Sequence, residues 1–193
     1  VFIVVGDFEP EKILEEIKKR LKTQDRRDEV TRIYPKEGKE INKKTVTKTM
    51  EVSLPLFMIG IKDDLTEKYK EVVKRHIAIE IILNMLIGKS SKLYNELYNE
   101  GLLLAKAEIE KMKSEEIDSK YFERIKKKIY GDYVCEYNSV SDIARMFISD
   151  YVKGINSFEY LEKFDEVDEK YVKQVLNDAF KEDMMVMSVV KNK

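Results

Sequence analysis

One segment near the middle of the chain limits the folds available to it. Residues Leu65–Ile87 have the apolar spacing of a long helix, and the second half of that helix is apolar nearly all round. A helix without a polar face is usually buried at the centre of a protein. The sequence therefore predicts a central helix that other elements cover.

Strand-like patterns lie on both sides of the helical part of the chain. Short apolar or alternating runs predict strands at Phe2–Val5, Thr45–Ser53, Leu56–Ile61 and Met184–Val190. Helical periodicity dominates from residue 107 to the last of these runs, beginning with a helix predicted to bury Phe122, Ile125, Ile129 and Val134. We therefore predict one α+β domain over residues 1–193, with a mostly antiparallel sheet that helices cover on one face.

The composition excludes several classes of protein. The 36 lysine and arginine residues nearly cancel 37 acids, and a net charge of −1 argues against nucleic acid as the main partner. The longest apolar run, Leu54–Ile61, has eight residues, whereas a bilayer span needs about 18, so no membrane association is predicted. Cys135 is the only cysteine, which rules out an intrachain disulfide and favours a reducing, cytoplasmic location.

The carboxylate pairs and the cysteine do not predict a catalytic group. The acidic pairs at Glu15–Glu16, Glu115–Glu116 and Glu166–Asp168 lie among lysines, as on a solvated helix surface, whereas a catalytic acid needs a desolvated setting. Cys135 has no histidine free to form a thiolate pair and is predicted to be inert. We predict no catalytic and no cofactor-binding residue in this chain.

A polar stripe on the long helix is the strongest candidate for a metal site. His76, Glu80 and Asn84 are spaced by four residues, so they lie on one helix face. Zinc takes three or four ligands from histidine, cysteine and carboxylate, and His76 is the only histidine. We therefore predict no metal site and interpret the stripe as a hydrogen-bonded polar layer under the sheet.

Two tyrosines are the candidates for a substrate cleft. Tyr94 and Tyr98 follow Ser90 or Ser91, either of which can begin a helix. Their spacing allows them to line a groove, although aromatic residues so spaced more often lie in a core.

Two segments resemble one family of zinc peptidases. Val4–Glu11 resembles the opening of the second domain in the insulinase, pitrilysin and mitochondrial-processing-peptidase family, the inverted zincins. Leu86–Leu102, which reads LIGKSSKLYNELYNEGL, is similar to the family pattern L-x-G-x-S-S-x-L-x-x-x-L-R-E-x-x-G-L. The resemblance implies a non-catalytic C-terminal domain of the processing-peptidase-like type, cut from a longer multi-domain chain.

The resemblance also implies a function for the parent protein. The parent would be a hydrolase, a metalloprotease whose N-terminal sister domain holds zinc through H-x-x-E-H. This domain would form part of the chamber around a peptide or unfolded protein, pair with the zinc domain, and belong to a homo- or hetero-oligomer. The alternative is a scaffold or partner subunit that has lost the zinc site and only binds peptides or proteins. Whether the parent is an enzyme stays open, because the sequence upstream of Val1 decides it.

The resemblance extends to single positions. Aligned on it, Glu80 and Asn84 take the places of the zinc-binding histidines, and Leu83 takes the place of the general base, which a leucine cannot be. An Arg and Tyr pair that grips substrate in the family is replaced by Tyr98 and Leu104. The family pattern also has two strands and the start of a helix near 104–107, so we expect a missing segment there.

Overall fold

The structure is a computed structural model that describes residues 1–21, 33, 35, 38, 40–53, 56–63, 71–88 and 102–192, with the backbone alone at 102–104. Within these residues the helices are α1 (Pro10–Arg20), α2 (Val72–Ile87), α3 (Leu102–Ser114), α4 (Ser119–Glu136), α5 (Val140–Lys153), α6 (Glu159–Lys163) and α7 (Glu169–Ala179). The strands are β1 (Thr45–Met50), β2 (Leu56–Ile61) and β3 (Met185–Asn192), the last preceded by a 3₁₀ turn at Glu182–Met184. The predicted α+β class is confirmed.

The sheet is mixed, so the prediction of a mostly antiparallel sheet is wrong. β3 lies between β1 and β2, parallel to β1 and antiparallel to β2. β1 and β2 follow one another closely in sequence but run in opposite directions. Any strand inserted between them must therefore be parallel to one of them.

The register separates the two faces of the sheet. Thr47, Val189 and Phe57 form one row across the strands, and the neighbouring row, one residue along, points to the opposite face. Ile59 and Ile61, on the same face as Phe57, pack against the buried core. The helices therefore cover one face of the sheet.

Helix α2 is the central helix, as its apolar pattern predicts. Ile77, Ile81 and Ile82 are fully buried. α2 contacts α3, α4, α6 and α7. Because four helices pack around it, apolar side chains are favourable on most of its circumference.

Helix caps explain where several helices begin and end. Asp118, Ser139 and Asp168 each accept a hydrogen bond from a backbone N–H in the first turn of α4, α5 and α7. Gly154 ends α5 in the left-handed conformation, with φ of 75°. The sequence predicts these caps at Asp118 or Ser119, at Ser139 or Ser141, and at Asp168.

The opening strand that the sequence predicts at Phe2–Val5 does not form. Phe2 is 70% exposed, and no described strand runs beside these residues to supply hydrogen bonds. The region in which we expect a missing segment, 104–107, lies inside α3, and the expectation of a missing segment stays a prediction. The helix predicted after Ser90 or Ser91 lies outside the described residues.

Candidate functional site

The polar stripe of α2 meets two tyrosines. The Tyr133 hydroxyl of α4 donates to Glu80 Oε2 at 3.0 Å, and the Tyr160 hydroxyl of α6 lies 2.8 Å from His76 Nδ1. Asn84 donates through Nδ2 to the backbone oxygen of Glu80 at 3.0 Å. The stripe therefore faces α4 and α6, and the prediction that it lies under the sheet is wrong.

The two tyrosines also contact each other. The rings of Tyr133 and Tyr160 stack with centroids 5.1 Å apart, and His76 packs edge-on against Tyr160 at 5.6 Å. Phe164 packs edge-on against Tyr133 at 5.5 Å. These rings join three helices around a small polar centre, an arrangement favoured by both ring packing and hydrogen bonding.

The hydroxyl groups at this centre remain protonated. Burial, with the carboxylates of Asp150 and Glu80 nearby, raises the pKa of Tyr160 to about 12. Burial and the hydrogen-bonded carboxylate of Glu80 raise the pKa of Tyr133 well above its ordinary value of 10. Both phenols can therefore donate hydrogen bonds at any physiological pH.

These residues do not fit a zinc ion. No group of three or more histidine, cysteine, aspartate or glutamate side chains in the described ranges is arranged to hold a metal. The Glu80 carboxylate is engaged by Tyr133, and the Asn84 amide is a donor to the helix backbone. Leu83 instead lines an apolar cavity beside the sheet. His76 and Glu80 therefore form hydrogen bonds to neighbouring helices, whereas Asn84 bonds within α2.

The remaining sequence candidates lie on the surface or outside the described residues. Glu166 pairs with Lys163 at 2.7 Å, a contact that lowers the pKa of its carboxyl. Asp168 caps α7, and Cys135 is exposed on α4. Glu15–Glu16 and Glu115–Glu116 occupy exposed positions. Tyr94 and Tyr98 lie outside the described ranges.

An ion pair that sequence reasoning missed links the sheet to α2. The Arg75 guanidinium donates to both carboxylate oxygens of Asp63, with Nη2 2.9 Å from each oxygen and Nε 3.1 Å from Oδ2. Arg75 is buried, so both charges are largely withdrawn from water. Bidentate geometry of this kind fixes orientation as well as distance. The pair ties the residues that follow β2 to the first turn of α2.

Two concave surfaces flank the sheet. A cavity of about 660 Å³ lies on the helix side, between β2, α2 and α3, with Phe57, Ile59 and Leu86 among its lining residues. A groove of about 870 Å³ lies on the opposite side, between Gly38 and residues 40–43 on one hand and the strands β1 and β3 on the other. The first is apolar, whereas lysines border the second.

Comparison with known proteins defines the class of this domain. Residues 1–106 match the family described as the peptidase M16 inactive domain. That match covers more than half of the 193 residues, and the chain therefore belongs to this family. The predicted resemblance to a non-catalytic domain of zinc peptidases is confirmed.

A curated relative is similar in sequence, and two solved structures share the fold. Over 106 residues the chain is 28% identical to the uncharacterized zinc protease YmfH of Bacillus subtilis (strain 168), an alignment that covers 53% of this chain and 25% of that protein. The fold matches an M16-like peptidase from Alicyclobacillus acidocaldarius with a TM-score of 0.80 at 18% identity, covering 96% of this chain and 52% of that one. A protease from Helicobacter pylori matches with a TM-score of 0.78 at 22% identity, covering 97% and 53%.

The chain therefore spans about half the length of these solved structures and a quarter of the curated relative. No helix among the described residues combines the length and the hydropathy that crossing a bilayer requires.

Proposed function

We propose that this chain is the non-catalytic domain of a zinc-dependent peptidase. In this role it forms one wall of a chamber that encloses a peptide, and it provides a surface on which the zinc-carrying domain assembles. The match of residues 1–106 to the inactive M16 domain carries the proposal. The zinc protease among its relatives supports it.

Within this proposal the two domains divide the work. The sister N-terminal domain holds zinc through H-x-x-E-H, and the metal activates water for peptide hydrolysis. In this chain the positions aligned with the zinc ligands are Glu80 and Asn84, and both side chains form hydrogen bonds. The substrate is a peptide or unfolded protein, the assembly is a homo- or hetero-oligomer, and the compartment is cytoplasmic, in keeping with a lone exposed cysteine.

Reconstitution tests the proposal. The chain is mixed with the separately purified zinc domain of its parent, and hydrolysis of a quenched fluorescent peptide is measured with and without a chelator. We expect zinc-dependent hydrolysis from the mixture and none from this chain. Hydrolysis by this chain alone, or no gain over the zinc domain alone, would contradict the proposal.

The replaced Arg and Tyr positions, Tyr98 and Leu104, are also compatible with a second function, that of a partner subunit without any zinc site. A parent sequence lacking H-x-x-E-H upstream of Val1 would select this scaffold function. The mixture would then bind peptides without cleaving them.

A further inference from the structure

The face of the sheet that points away from the helices is apolar and open. Two adjacent rows across the strands on this face are Val46–Ser188–Met58 and Lys48–Val190–Leu56. Val46 is 41% exposed, Leu56 59% and Met58 73%. Exposed apolar patches on a sheet usually mark a surface that binds something.

A groove runs along this face of the sheet. Gly38 and residues 40–43 lie beside the sheet and border a volume of about 870 Å³ against β1 and β3. Ile41, Val46, Val186 and Val190 supply its apolar surface. Lys62 Nζ donates to the Gly38 backbone oxygen at 2.5 Å and so links the residue that follows β2 to the wall of the groove.

Most of the charged side chains around the groove are positive. Lys43, Lys48 and Lys62 border it, and Glu40 is the acid among its lining residues. Within the described residues, Lys43 and Lys48 form no ion pair. Two lysines beside an apolar floor attract an occupant that carries negative charge next to apolar groups.

We propose that this groove binds an extended peptide segment with aspartate or glutamate next to apolar side chains, an inference that rests on the proposed function of the chain as a chamber wall. An extended peptide on this face can place apolar side chains against Val46 and Val190, and the long side chains of Lys43 and Lys48 can extend past that layer to its neighbouring carboxylates. Burying the apolar residues provides affinity, and the lysines select the charge.

Two labelled peptides test this preference on the 193-residue chain. One alternates valine and glutamate, and the other has lysine at each glutamate. Fluorescence anisotropy at low salt measures both dissociation constants. We expect the acidic peptide to bind about tenfold more tightly, the sum of two surface charge contacts, and its affinity to fall as salt is added.

Matched variants locate the site. Lys43→Glu/Lys48→Glu should reverse the preference, so that the basic peptide binds more tightly. Lys127→Glu/Lys170→Glu makes the same change of net charge on exposed helix positions away from the sheet and should leave the preference unchanged. Circular dichroism of each variant confirms that it is folded before binding is measured.

Three results would overturn the proposal: equal binding of the two peptides, loss of preference in the Lys127/Lys170 variant, or tighter binding to phosphatidylserine vesicles than to the acidic peptide. The assay contains no zinc domain. A failure here leaves the reconstituted hydrolysis intact, and a failure of hydrolysis leaves the charge preference measurable.

Discussion

Tyr133 holds Glu80 through a hydrogen bond across the boundary between α4 and α2. Tyr133→Phe removes the donor and leaves a half-buried carboxylate without its partner. We expect the free energy of unfolding to fall by about 1–2 kcal/mol, the usual cost of an unsatisfied buried acceptor. Urea denaturation followed by circular dichroism measures it.

Tyr130→Phe is the matched control on the same helix. Its ring also packs edge-on against Phe164, at 5.4 Å, but it is 44% exposed and its hydroxyl has no described hydrogen-bond partner. Loss of the same hydroxyl should change stability by less than about 0.5 kcal/mol. Equal losses in the two variants would mean that the hydrogen bond to Glu80 contributes nothing specific.

Ionisation of Tyr160 makes the free energy of unfolding depend on pH in the alkaline range. Its pKa is about 12 in the folded chain and 10 as its ordinary value, so the folded state holds the proton more tightly. This contribution is fully present below pH 10 and is lost as the pH rises from 10 towards 12. Between pH 9 and pH 11 the urea midpoint should therefore fall less for Tyr160→Phe than for the unmodified chain. Parallel decreases would contradict this assignment.

At the scale of whole elements, the Arg75–Asp63 pair joins the end of β2 to α2. Arg75→Met leaves the Asp63 carboxylate with little solvent and no counter-charge, and should cost about 3 kcal/mol. The double variant Arg75→Met/Asp63→Leu removes both charges and should recover more than half of that loss. A double-mutant cycle by urea denaturation measures the coupling, and strictly additive effects would show that the two side chains do not interact.

Replacing glycine by alanine is expected to have opposite effects on stability at two positions. Gly154→Ala places a Cβ at a φ of 75°, and should destabilise the end of α5 by about 1 kcal/mol. Gly131 lies inside α4 with open space around it, so Gly131→Ala should stabilise that helix by about 0.5–1 kcal/mol. Thermal unfolding measures the change in stability of both variants. Changes of the same sign would show that the backbone conformation of the two glycines does not determine the effect.

Local signals in the sequence located the helices better than they located the polar centre. Caps such as Asp118 act within one turn, so their position is readable from neighbouring residues. The inner face of α4 continues from Ile129 to Tyr133, one residue before the predicted Val134, which is 41% exposed. The 3.6-residue period alone barely distinguishes adjacent positions at the end of a long helix. Tyr160, which comes from another helix, is linked to His76 only by the tertiary fold.

At the scale of the whole molecule, the chain should not retain zinc. It has one histidine, and its described residues contain no metal-holding group. After incubation with zinc and gel filtration, elemental analysis should find far less than one zinc per chain. The reconstituted pair with the zinc domain is the positive control, and stoichiometric retention by this chain alone would refute the assignment of a metal-free domain.

The composition and the end-to-end order of elements were enough to predict an α+β domain, but not the order of its strands. The direction of β3 depends on its insertion between β1 and β2, a long-range choice with no local signature in Met185–Asn192. The family resemblance supplied the functional class. The basic groove depends on the same strand order, which brings Val190 next to Lys48 across more than a hundred residues.

The central position of β3 has a consequence for synthesis on the ribosome. β1 and β2 leave the exit tunnel early but do not pair with one another in the described sheet, because the strand that joins them is translated after the described helices. Until then the apolar segment Leu56–Ile61 has no paired strand on either edge in the described sheet, and rapid helix formation or chaperones would protect it from aggregation. Slow codons within the helical region would lengthen that exposure.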